Sequence, residues 1–236
     1  MEAMITVNRP MRLVVINIVL FTLLAICVWC LLTLGSAASF PIQHIKIHGN
    51  YKHIDRAQIE RLVKPHVGSS FFRVDLNNIK HALLTETWLK SAKVTRIWPN
   101  QLIITLDERS PVAIWNSEHL MTSQGVVFSS DAEAFMSTLP MLSGPRDKEA
   151  FMFEKYNEFN AILSPLDLHI NQLRLTSSMV WSMRLDNDVE LMLGENDARG
   201  RLLRFVAVYP KILTAKHHRA KRFDLRYGDG VAVKWR

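Results

Sequence analysis

Trp88 to Trp115 reads WLKSAKVTRIWPNQLIITLDERSPVAIW, and the middle of this stretch decides the architecture around it. Ala92, Val94 and Trp98 fall on one side of an alternating run, Leu102, Ile104 and Leu106 on one side of the next, with Pro99 and Asn100 between them. A period of two marks half-buried strands. Proline presets φ for the first central position of a turn and asparagine tolerates the second, so the two strands are expected to be neighbours in a hairpin.

Working back from the hairpin, two helices come before it. Asp75 stands ready to cap the second, whose buried stripe is Leu76, Ile79 and Leu83. Asp55, with Gln58 three residues on, caps the first, and Ile59, Leu62 and Val63 recur at helical spacing until Pro65 stops it. Earlier still, Ile42, Ile45 and Ile47 form an apolar strand that closes on Gly49 and Asn50, a pair suited to a turn with positive φ. The expected order over residues 40–110 is strand, helix, helix, strand, strand. That makes a domain at the small end of the usual range.

Further back, Leu13 to Leu34 holds 22 residues without a charge. A helix of that length rises roughly 33 Å, enough to cross a hydrocarbon core of about 30 Å. Arg9 and Arg12 flank its near side, and Gly35 to Pro41 carries no charge on the far side. Short loops rich in Lys and Arg stay cytoplasmic, so residues 1–12 are expected inside and the chain beyond residue 34 outside, with Trp29 towards the outer interface. Ser36, Ala37 and Ala38 offer small residues to a signal peptidase, but a signal peptide's apolar region is about 7 to 15 residues, and the longer span favours an uncleaved anchor.

Both cysteines, Cys27 and Cys30, lie inside this span, so the exported part is expected to fold without disulfides. The formal net charge is +7. Its densest run, Lys211 to Arg222, lacks interleaved aromatic residues on which bases could stack, and a chain facing away from the cytoplasm meets no chromosome. Nucleic acid is therefore not expected as a partner, whereas contact with a membrane surface or an acidic partner remains open.

Forward of the hairpin, Pro111 interrupts, and Val112–Trp115, Leu120–Met121 and Val126–Phe128 are short apolar pieces of a meander. Pro140, Gly144 and Pro145 punctuate a loop. Met152, Tyr156, Phe159 and Leu163 mark a helix that ends at Pro165. Strands return at Leu173–Leu175, Val180–Leu185 and Val189–Leu193. Asn196 can cap a further helix bearing Leu202, Phe205, Val206 and Tyr209, with Pro210 limiting its extension. Phe223–Tyr227 and Val231–Trp235, joined through Gly228, Asp229 and Gly230, form the plainest hairpin; its last strand sets Val231, Val233 and Trp235 on one face. The fold class expected is α+β: a single transmembrane helix at 13–34, the β-α-α-β-β domain at 40–110, and a mainly antiparallel β domain with helices packed on it at 111–236.

The strings IHGN at Ile47–Asn50, FFRVD at Phe71–Asp75 and the whole of Trp88–Trp115 stand in order behind one anchor, and DLRY follows at Asp224–Tyr227. In this the chain resembles the FtsQ/DivIB family of bacterial cell-division proteins, whose first exported domain is a POTRA domain. The sequence departs from the family in ending at Arg236 without a polar tail and in having a cytoplasmic segment of only about a dozen residues. The resemblance implies an inner-membrane, single-pass scaffold at the division septum that links early division proteins to late septal peptidoglycan synthesis. Its implied partners are an FtsB/FtsL-like complex held chiefly by the β domain, with FtsK-like and septal synthase proteins beside it; self-association stays open. The partner-binding region it implies covers Arg226, Tyr227, Gly230, Val231, Val233 and Trp235, where a terminal strand can accept a partner's strand through main-chain hydrogen bonds. The alternative within the same domain family is a POTRA-type module that handles polypeptides in envelope secretion.

No catalytic constellation emerges, and no cofactor is expected. The sequence has no nucleophile elbow, no Walker loop and no H-E-x-x-H. His44, His48 and His53 come nearest to a metal cluster but are split by a strand and a turn. Asp107 with Glu108, and Asp186 with Asp188, sit at strand ends or turns, where carboxylates are expected to be solvated. The reading is a binding protein, not an enzyme.

Overall fold

The computed structural model describes residues 9–34, 41–68, 71–215, 220–228 and 230–235. Helix α1 (Arg9–Leu34) is continuous, and all its side chains from Leu13 to Leu32 are exposed. An apolar helix with nothing packed on it is at home in lipid, where its backbone bonds are all internal. Thr22 fits this setting: its hydroxyl donates back to the carbonyls of Ile18 (3.0 Å) and Val19 (2.9 Å), which satisfies its own polar group. The length and apolar composition of α1 suit a single-pass membrane anchor. It begins one turn before the apolar stretch, at Arg9. Residues 1–8 of the expected cytoplasmic segment and the Ser36–Ala38 site lie outside the described residues.

The chain divides into two compact units, residues 1–108 and 109–236. The first unit contains β1 (His44–Asn50), α2 (Arg56–Val63), α3 (Leu76–Leu83), β2 (Leu89–Ile97) and β3 (Gln101–Glu108). The sheet order is β1-β3-β2, with β1 parallel and β2 antiparallel to β3. This is the β-α-α-β-β order read from sequence. Asp55 and Asp75 cap the two helices, the first accepting from the Ala57 amide at 3.2 Å, the second from those of Asn77 and Asn78 at 2.8 and 3.2 Å. Gln58 reaches instead to the Glu86 carboxylate and closes no capping box. Ile59, Val63, Ile79 and Leu83 are buried with Leu102, Ile104 and Leu106 of the sheet. Gly49 has φ +141°, and a β-carbon there would strike the Leu106 carbonyl, so strand β1 can lie this close to β3 only with glycine.

Two further expectations change in this unit. Trp98 leaves the alternation of Ala92 and Val94 and stands in the turn, 70% exposed, because β2 ends at Ile97. Glu108 is not solvated. Its side chain is only 9% exposed, and it accepts the amides of Lys52 and His53 at 2.9 Å each.

The second unit is a nine-stranded sheet with two helices. Its elements are β4 (Pro111–Trp115), β5 (His119–Thr122), β6 (Val127–Ser129), β7 (Met141–Ser143), α4 (Glu149–Leu163), β8 (Ile170–Leu175), β9 (Trp181–Leu185), β10 (Glu190–Gly194), α5 (Ala198–Ala215), β11 (Ala220–Asp224) and β12 (Ala232–Trp235). The order is β12-β11-β10-β9-β8-β7-β4-β5-β6. Most pairs are antiparallel, but β4–β7, β7–β8 and β10–β11 are parallel. Phe159 and Leu163 of α4 and Leu202, Phe205 and Tyr209 of α5 are buried with Leu142, Leu173, Leu191 and Phe223 of the sheet.

The differences from the sequence reading are local. The supposed loop before Gly144 contains β7, three residues too short to show a period, held because Leu142 is fully buried between its neighbours. Pro111 opens β4 instead of interrupting. Helix α5 is capped by Asp197, whose carboxylate accepts the Gly200 amide at 3.0 Å, not by Asn196. It also runs through Pro210, since Tyr209 and Ile212 pack on the core on both sides of the proline and offset the lost backbone bond.

Candidate docking edge at the terminal strand

Strand β12 is one edge of the nine-stranded sheet. The terminal hairpin exists, but its first strand sits earlier than expected, at Ala220–Asp224 in place of Phe223–Tyr227. The reason is chemical. The Asp224 carboxylate accepts the Arg226 amide at 3.1 Å, an Asx-type bond that turns the chain out of the sheet. The same carboxylate takes a fork of bonds from the Arg226 guanidinium, 2.9 Å from Nε and 2.6 Å from Nη2, and this pairing holds the Asp224 acid below the usual carboxylate range.

The register pairs Ala220 with Trp235, Arg222 with Lys234, Phe223 with Val233 and Asp224 with Ala232. Leu225 donates its N–H to the Met192 carbonyl of β10 at 2.9 Å. Backbone groups alternate sides along a strand, so Phe223 also faces β10, while Asp224 and Arg222 face β12. Ala232 and Lys234 therefore complete the ladder. Val233 holds its N–H and C=O groups away from β11, on the side where no strand follows among the described residues.

The six residues singled out from sequence separate into two groups. Val231, Val233 and Trp235 are half-buried and pack on the core. Arg226, Tyr227 and Gly230 are exposed, Tyr227 to 59%, and a β-carbon at Gly230 would meet open space. The Tyr227 carbonyl accepts from Arg204 of α5 at 2.9 Å, which fixes the turn without covering the ring. Of the membrane-flanking residues, Arg9 and Arg12 lie in the first turn of α1, and Trp29 is 67% exposed near its other end.

Sequence reading missed the row beside this edge. Glu190 of β10 pairs across the sheet with Arg184 of β9 and Arg222 of β11, and it accepts from their guanidinium groups at 3.0 and 2.6 Å. The bond to Arg222 is the main reason its acid is held below its ordinary value, with Arg184 adding to it. Lys234 stands next to Arg222 in register, at the outer end of the row, while the Glu190 carboxylate itself bonds the two arginines. Alternation in β9 and β10 signals the outward face, but the β10–β11 neighbourhood is a parallel crossover through α5 and has no local signature. The three histidines do not converge on a site: His44 and His48 lie along β1, whereas His53 stacks on Trp88 at 4.1 Å.

The family pattern described as the FtsQ-type POTRA domain matches residues 40–109, and that described as cell division protein FtsQ/DivIB, C-terminal, matches residues 113–226. Among similar proteins, the cell division protein FtsQ of Coxiella burnetii is 34% identical over 206 residues, 87% of this chain and 85% of that one. The FtsQ of Hahella chejuensis is 28% identical over 93% of this chain and 81% of its own length. That of Xanthomonas campestris is 32% identical over 85% and 72%.

Proposed function

The chain belongs to the FtsQ/DivIB family of cell-division proteins, and from that premise we propose that it is a non-enzymatic scaffold of the division machinery. It sits in the inner membrane at the septum with its N-terminus in the cytoplasm and the two folded units in the periplasm, and it links early division proteins to late septal peptidoglycan synthesis. An FtsB/FtsL-like complex docks by adding a strand to β12, with FtsK-like and septal synthase proteins as further partners. The observation that carries this reading is the open edge: Val233 presents its main-chain donor and acceptor outward, and the exposed Arg226 and Tyr227 stand near it as side-chain anchors.

Val233→Pro tests it, because proline removes an amide that the sheet does not use. Affinity for the FtsB/FtsL-like complex should fall at least about tenfold, the loss of roughly 1.4 kcal/mol, while thermal unfolding stays close to wild type. Tyr227→Ala should weaken binding by about 2 kcal/mol, as removing an anchor does. Wild-type affinity in both variants would place docking elsewhere. Orientation is tested by alkaline phosphatase fused after Arg236: activity is expected, and an inactive fusion protected from external protease in spheroplasts contradicts the topology.

A further inference from the structure

The turn between β2 and β3 is the end of the first unit's sheet at which the chain arrives from α1. Asn100 makes the join: its carbonyl accepts the amides of Gln43 (2.9 Å) and His44 (3.4 Å), and its side-chain amide donates to the Gln43 side chain at 2.9 Å. From there β1 runs away from the turn, parallel to β3. Leu34 closes α1 and Pro41 is the next described residue, seven peptide steps on, which caps the separation at about 25 Å. Gln43, two residues beyond Pro41, is bonded to the turn, so the turn stays within about 35 Å of the end of α1.

The turn has an exposed apolar cluster. Trp98 is 70% exposed, Ile97 42% and Phe72 49%. Phe72 belongs to the same end because the Arg96 guanidinium donates to the carbonyls of Phe72 (3.5 Å) and Val74 (3.0 Å). An exposed indole with two more exposed apolar side chains at the same end of the sheet is costly in water and favoured at a lipid interface, where the ring's apolar body and its N–H are both accommodated. Charge agrees. On the strands that lead to and from the turn, Lys46 and Lys93 lie midway, at the register positions of Ile103 and Thr105, and no Asp or Glu stands between residues 89 and 106. Such a surface suits an anionic headgroup layer.

We propose that the Phe72–Ile97–Trp98 cluster docks on the surface of the bilayer that α1 crosses. It is a second membrane contact for the chain, and it gives the first folded unit a defined orientation on the lipid. The bilayer is the occupant because the covalent tether keeps it in reach at high effective concentration, and because the exposed apolar side chains, with an indole among them, match it.

The test uses the full chain in nanodiscs of phosphatidylethanolamine and phosphatidylglycerol, with dibrominated acyl chains as the quencher. Trp29→Phe removes the indole already within the membrane helix and leaves five of the six tryptophans. That variant should lose about a fifth of its emission in brominated discs, the share of one interfacial indole. Trp29→Phe with Trp98→Phe should lose none. A third variant keeps Trp98 as reporter and changes Phe72→Ser and Ile97→Ser in the Trp29→Phe chain; its quenching should fall by half or more, roughly, as the apolar grip is lost. Absence of quenching in Trp29→Phe alone, equal quenching with and without Trp98, or unchanged quenching in the serine variant would each overturn the proposal.

Discussion

The two sheets are assembled by different means. In the three-stranded sheet, β2 and β3 are joined by a short turn, each carries its own alternation, and β1 returns to β3 after two capped helices. In the nine-stranded sheet, β7 joins two halves and is three residues long, parallel to both of its neighbours. A strand of that length has no period to display, so its place is decided by the slot between β4 and β8 and by the buried Leu142 that fills it. Where neighbours are close in sequence, local pattern specifies pairing; where they are distant, the packed core does.

The sharpest way to break this contrast is Leu142→Ala. The side chain is fully buried, so the change should cost about 3 kcal/mol by urea unfolding, comparable with Ile104→Ala in the other sheet. A cost below about 1 kcal/mol would mean that β7 is held by its backbone alone.

A smaller contrast lies within one pair of neighbours. Glu108→Gln leaves one of the Lys52 and His53 amides poorly matched and should cost roughly 1–2 kcal/mol. Asp107→Asn breaks only an exposed 3.7 Å pairing with Lys90 and should stay within about 0.5 kcal/mol. Equal effects would show that the bonds Glu108 accepts are not what holds the chain between β1 and α2.

Glu190→Gln probes the cross-strand row and should cost about 1 kcal/mol at neutral pH. The folded-state acid is held below its ordinary 4.5, so its contribution is present above that value and is lost as pH falls through the lower folded value. Wild type and variant should therefore converge in stability as the pH drops below about 4.5. A gap that persists at lower pH would assign the effect to packing.

The smallest expected effect is that of Tyr227→Ala on folding, within about 0.5 kcal/mol because the ring is exposed. Trp235→Ala should lower the melting temperature measurably, since its indole packs on the core. If both melt like wild type, the terminal strand contributes contact surface only.

By itself the sequence determined the membrane helix, the order of the first unit and the existence of a terminal hairpin, because charge, apolar period, capping aspartates and turn residues all act over a few neighbouring positions. Asp55, Asp75 and the run from Ala92 to Leu106 are legible for that reason. Tertiary structure decided the rest. It drew β7 out of a proline- and glycine-punctuated loop, carried α5 through Pro210, tied the half-buried Glu108 to the Lys52 and His53 amides, and gathered Arg184, Glu190, Arg222 and Lys234 into one row. It also separated Tyr227 from Trp235, exposing one and packing the other, although both belong to the same short hairpin. Each of these outcomes depends on which distant segment supplies the neighbour, and burial and pairing free energies that arise across a sheet leave no periodic trace along the chain.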